Sequence, residues 1–168
     1  MPNHTENIVT IVSTNKKDLE KFKKFVHNKK SDSPFSFQKI VPMPKELEGT
    51  LAPAKVFDTQ KEVDDFNKDK HPLMGNAISL VKSISLIRKF GFNDWYDWTW
   101  ENWGTKWDAY NVKLIQPNIH TLEYYFTTAW NGPDKIKQRL ESIFDNINIH
   151  WICADEESYN LEDKWYQL

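Results

Sequence analysis

The chain has 168 residues, 39% hydrophobic and 27% charged, with a formal net charge of -2. That length suits one ordinary domain with a sizeable core and would cramp two. The near-neutral balance excludes a bulk field for nucleic acid or an anionic membrane, and an aromatic fraction of 14% excludes a disordered chain.

Asn7 to Ser13 is a β-branched run that reads as a strand, with Thr14 as the N-cap of a helix. From Asn15 to about His27, the positions Leu19, Phe22, Phe25 and Val26 make one face of that amphipathic helix. The best candidate basic patch (Lys16, Lys17, Lys21, Lys23, Lys24, Lys29 and Lys30), diluted by Asp18 and Glu20, reads as a solvated helix face. Phe35, Phe37 and Ile40 then suggest a second strand, stopped by Pro42 and Pro44.

Glu46 to Thr59 reads as a loop, Gln60 to Asp69 as a short helix, and Met74 to Phe90 as a helix ended by Gly91. Phe92 to Tyr110 (FNDWYDWTWENWGTKWDAY) then holds five of the eight tryptophans, interleaved with charge. Tryptophan is the largest apolar side chain and carries an N–H that needs a partner, so this stretch reads as a rigid, at least half-buried platform. Strands are expected over Ala109 to Ile115, His120 to Trp130 and Ile147 to Ala154. A helix opened by Pro133 is expected to run to about Phe144.

The order implies an α+β, ferredoxin-like split βαβ plan: an antiparallel four-stranded sheet with two helices on one face. A single domain spans 1–168, with a helical and Trp-rich insertion over about 46–108, between strands 2 and 3. One open sheet face leaves pairing with a second copy, as a homodimer, among the expectations.

Four segments carry a family likeness: the start MPN with Asn7 and its strand, VPMP at Val41 to Pro44, DWYDW…NWGTKWDAY at Asp94 to Tyr110, and TTAW followed by Pro133. Together they resemble the YubB-type ferredoxin-like family, small proteins encoded largely on bacteriophages and plasmids, with no established biochemical function. NWGTKW is the most specific of the four. The resemblance implies a ferredoxin-like fold, and a mobile-element origin makes interference with a host defence component the background expectation. Members often begin MPNWC. His4 and Thr5 stand at those last two positions here, so no N-terminal cysteine role carries over.

The candidate binding residues are Asp94, Trp95, Trp98, Trp100, Asn102, Trp103, Lys106 and Asp108. If the NWGTKWD block is extended, Lys106 and Asp108 project the same way. Asp94, Asp97, Glu101 and Asp108 lack the spacing of an EF-hand, and no metal-bound His pair or phosphate loop is present. His150 and Cys153 would point to opposite faces of a strand, which argues against zinc. Neither a metal nor another cofactor is expected, and no catalytic residue is assigned. On the strand His120 to Trp130, Leu122, Tyr124 and Phe126 share one face while Glu123, Tyr125 and Thr127 share the other. That second face is a poor stacking platform for RNA or DNA.

The lone Cys153 fits a reducing compartment. The opening residues do not pattern as a secretory signal, and no run nears the roughly 20 apolar residues that cross a bilayer. A cytoplasmic location without a membrane partner is therefore expected. The sequence favours a non-catalytic accessory protein of a mobile genetic element that binds a protein partner through a Trp-rich surface. The alternative is a small-molecule or nucleotide-binding protein, or an enzyme, with Lys106 and Asp108 in a Trp-lined cleft. The acidic run Asp155 to Glu157 reads as an exposed turn, and the aromatic pair Trp165 and Tyr166 as a tail either docked on the body or offered to a partner.

Overall fold

The computed structural model describes residues 3–155, residue 155 by its backbone alone. Glu156, Glu157, Trp165 and Tyr166 lie outside the described residues, as does the side chain of Asp155. The chain divides into two compact units, Met1–Pro42 with Asn102–Leu168, and Met43–Glu101.

The first unit contains a four-stranded antiparallel sheet in the order β4-β5-β1-β6. Its strands are β1 (His4–Val12), β4 (Tyr110–Asn118), β5 (Thr121–Ala129) and β6 (Asn148–Asp155). Helix α1 (Lys16–Val26) follows β1, and α6 (Asp134–Ile143) lies between β5 and β6. Strand alternation decides the two faces. Register sets Val9 beside Tyr124 and Ile11 beside Leu122, and these residues with Phe126 are buried. Against that face pack Leu19, Phe22 and Val26 of α1, with the Phe22 and Tyr124 rings 6.0 Å apart. The opposite face carries Glu123, Tyr125 and Thr127, half-buried, as the alternation predicts.

Inside the covered face, Asn7 is 1% exposed yet fully partnered. Its amide donates to Thr5 O and Thr128 Oγ1, and its Oδ1 accepts from Trp151 Nε1 and the Cys153 thiol.

Two local expectations change. The N-cap of α1 is Asn15, one residue beyond Thr14, because the Asn15 side chain reaches the Lys17 N–H at 3.0 Å. The expected strand at Phe35 to Ile40 is absent: Phe37–Ile40 forms a single helical turn, α2. Phe35 and Phe37 are both fully buried, with Phe35 stacked on Phe126 at 5.0 Å, so the aromatic run is filling core rather than pairing as a strand. The sheet's remaining strands come from the β4–β5 hairpin and β6.

The second unit comprises β2 (Val56–Phe57), α3 (Gln60–Asp69), β3 (Ile78–Ser79), α4 (Leu80–Phe90) and the start of α5 (Trp95–Trp103). The strands β2 and β3 pair in parallel. Helix α3 matches its expected bounds and opens with a capping box between Thr59 and Glu62. The helix expected over Met74 to Phe90 begins only at Leu80, because Ser79 caps it and Ile78 belongs to β3. Its C-terminal stop at Gly91 is where the sequence puts it. No described helix is long and apolar enough to cross a membrane.

Candidate functional site

The tryptophan-rich stretch is helical for its first half. Asp94 starts α5: its Oδ1 accepts the Asp97 N–H at 3.0 Å and its Oδ2 accepts the Ala54 N–H at 3.2 Å. The side chain is 3% exposed, so this carboxylate is committed to holding backbone. Trp98 is buried at 6% and Trp103 at 3%, which withdraws both rings from any contact surface. Trp95 is half-buried and its backbone N–H donates to Thr50 Oγ1 at 3.0 Å. Trp100 is half-buried, its ring edge-on to Tyr96. Asn102 and Trp103 end the helix within the first unit.

The NWGTKWD block then crosses the end of the four-stranded sheet. Trp103 Nε1 donates to Val41 O at 2.9 Å, and its ring meets Phe37 at 5.8 Å. Gly104 has φ +79, and a Cβ there would sit 3.3 Å from the Asp134 N, so both its conformation and its neighbours favour glycine. Thr105 is fully buried and donates to Ala129 O at 2.7 Å. Asp108 accepts from Ser36 Oγ at 2.6 Å, Phe37 N at 2.6 Å and Ala109 N at 2.8 Å. Burial pushes its carboxyl above the usual aspartate range, and those hydrogen bonds pull against the shift.

Among the described residues, two tryptophans are exposed. Trp107 is 40% exposed and Trp130, at the end of β5, is 43% exposed. Lys106 Nζ lies over the Trp107 ring at 5.0 Å, a cation–π contact. Tyr110 stands edge-on to both Trp107 and His4, and its hydroxyl hydrogen-bonds the His4 Nδ1. Trp130 adopts φ +76, a conformation that is an outlier for a bulky side chain. It is held there by its N–H to Asn3 O and by Thr5 Oγ1 donating to its carbonyl.

Thus Asn3, Val41, the Asn102–Asp108 run and the Thr127–Pro133 run, each from one of the four segments behind the family likeness, meet at one end of the sheet. Sequence reasoning overlooked Trp130, Tyr110 and His4 there. The Asn131–Gly132 turn signal directly after Trp130 was the available cue.

Within the second unit, a cleft of about 610 Å³ is walled by Trp95 and by Gly49, Thr50, Gly75 and Asn76. Lys70 also borders it, with its ammonium donating to Met74 O at 2.7 Å. Neither Lys106 nor Asp108 lines this cleft. Among the described residues no three His, Cys, Asp or Glu side chains are placed to hold a metal ion. No family model matches the chain, nor does any curated protein or solved structure.

Proposed function

We propose that the protein is a non-catalytic binding module that holds a protein partner through its exposed tryptophans Trp107 and Trp130, with Lys106, Tyr110 and His4 gathered around Trp107. The observation that carries this reading is the pair of exposed tryptophans on neighbouring backbones, at 40% and 43% exposure. Exposed tryptophan is the side chain most enriched at binding hot spots. Backbone strain at Trp130 points the same way, since strained conformations concentrate at functional sites. The Trp-rich surface read from sequence is thereby narrowed: Trp98, Trp103, Asp94 and Asp108 support the scaffold, while Lys106 keeps its place beside Trp107.

The same reading covers the fold and the setting. The strand order β4-β5-β1-β6, with α1 after β1 and α6 after β5, supports a ferredoxin-like split βαβ assignment. On the YubB-type resemblance, the partner is a host component, of the defence class, met in the cytoplasm by a mobile genetic element. The test is affinity purification from the natural host with wild type beside a Trp107→Ala/Trp130→Gly variant. A specific partner lost in the variant supports the reading. Identical partners in both, or none in either, sinks it.

A second reading, a small-molecule site, is favoured by the cleft at Trp95, whose volume falls in the range of ligand pockets. It moves the ligand away from Lys106 and Asp108, because both Asp108 oxygens already accept hydrogen bonds. Quenching of Trp95 fluorescence by a metabolite library, lost in Trp95→Leu, would support it.

A further inference from the structure

Helix α4 buries only part of its apolar surface. Ser83 and Leu86 are buried, at 5% and 4% exposure. Leu80, Ile84 and Ile87, at i, i+4 and i+7, form an adjoining stripe that stays 45%, 42% and 48% exposed, and Val81 beside it is 78% exposed. Single exposed aliphatic residues are ordinary, whereas an aligned row marks an interaction surface.

The charges on α4 decide what fits. Its charged residues are Lys82, Arg88 and Lys89, with no acid among them. Lys89 pairs with Glu46 at 2.8 Å and Lys82 lies within the field of the same carboxylate, while neither Lys82 nor Arg88 forms an ion pair among the described residues. Lys82 also sits in the first turn, where the helix dipole favours a negative neighbour. A second copy laid along the stripe would set basic residues against basic residues. An anionic membrane is poorly matched as well, because two unpaired cations give far less attraction than a polybasic anchor of four to eight.

We propose that the exposed stripe of α4 is a docking surface for an acidic amphipathic helix of another protein, its leucine-like side chains on Leu80, Ile84 and Ile87 and its carboxylates beside Lys82 and Arg88. This is a contact surface in the second unit, independent of the exposed tryptophans. Helix-on-helix docking of this kind is read through anchors at i, i+4 and i+7, with flanking charge setting specificity.

The probe is a synthetic helical peptide of about 18 residues, five turns, with leucines at that spacing and glutamates flanking them. A matched peptide carries lysine in place of each glutamate. Titration by fluorescence anisotropy should show the glutamate peptide binding about tenfold or more tightly than the lysine peptide. Ile84→Asp should abolish binding while the protein still unfolds cooperatively in a thermal melt, since Ile84 is 42% exposed. Lys82→Glu/Arg88→Glu should reverse the peptide preference. Equal affinity for both peptides, or no binding of either, overturns the proposal. So does a wild-type dimer in light scattering that Ile84→Asp dissociates, which would make the occupant a second copy. Binding to phosphatidylserine vesicles in preference to both peptides would assign the stripe to a membrane instead.

Discussion

The carboxylate of Asp108 accepts the backbone N–H of Phe37 at 2.6 Å, across 71 residues of sequence. Its other oxygen takes the Ser36 hydroxyl at 2.6 Å, so one side chain fixes the turn that starts α2. Asp108→Ala leaves these buried donors without a partner and should cost about 1–3 kcal/mol at neutral pH. Asp108→Asn, which keeps one acceptor oxygen, should cost less. Urea unfolding of the two variants beside wild type checks both the loss and its order.

The same carboxyl has its folded pKa raised by burial above the ordinary value of 3.8. Between that ordinary value and the raised one, the folded chain binds the proton more readily than the unfolded chain. Asp108 therefore makes stability fall as pH rises through that window, and its contribution is flat above the folded pKa. Urea unfolding measured across mildly acidic pH should show the stability of wild type relative to each Asp108 variant falling as pH rises through that window. Equal slopes in all three would mean that the carboxyl is not strained by burial.

Tyr124 is fully buried among Phe22 and Phe35, and its hydroxyl has no hydrogen-bond partner among the described residues. Burial and the nearby Glu20 push its ionisation well above the ordinary tyrosine range, so it stays neutral. An unpaired buried hydroxyl costs about 1–3 kcal/mol. Tyr124→Phe keeps the ring and should raise stability by up to that amount in chemical denaturation. A clear loss of stability would show instead that the hydroxyl is satisfied in solution, by ordered water for example.

Trp130 pairs exposure with a left-handed backbone, φ +76. That conformation costs an L residue about 1–2 kcal/mol and a glycine almost nothing. Trp130→Gly should therefore be more stable than Trp130→Ala by about that difference, although both lose the same ring. The comparison isolates backbone strain from packing. Equal urea midpoints for the two variants would place no strain at this residue.

Periodicity made most of the first unit legible. Leu19, Phe22 and Val26 repeat at helical spacing and are all buried, and the alternation around Tyr124 assigns both sheet faces. The absent strand at Phe35 to Ile40 has a cause distant in sequence. Phe35 and Phe37 alternate like a strand, but the α2 turn depends on Asp108, which no local window includes. Helix α5 carries tryptophan at positions 95, 98, 100 and 103, so apolar residues surround it and no single face stands out. Its clearest sign was Asp94 as N-cap, which in sequence looked like one member of a carboxylate cluster. Whether a tryptophan is buried depends on which chain crosses it. Trp103 lies under Phe37 and Val41, whereas Trp107, four residues on, stays in solvent. Composition marked the right segment and could not tell its rings apart.

In the second unit, the backbones around Gly49–Leu51 and Gly75–Asn76 are joined by Leu51 N to Asn76 O at 2.8 Å and Asn76 N to Gly49 O at 2.7 Å. They approach so closely that a Cβ on Gly75 would lie 2.2 Å from Thr50 O. The obstacle is main chain, which no rotamer change can clear, so Gly75→Ala must part the two segments and break both hydrogen bonds. The expected loss is about 3 kcal/mol, the upper part of the usual range for overpacking. Because these segments wall the cleft at Trp95, amide exchange at Leu51 and Asn76 should accelerate and the Trp95 emission should shift. A Gly75→Ala variant with unchanged exchange at both amides would show that the two backbones are not held in this close register.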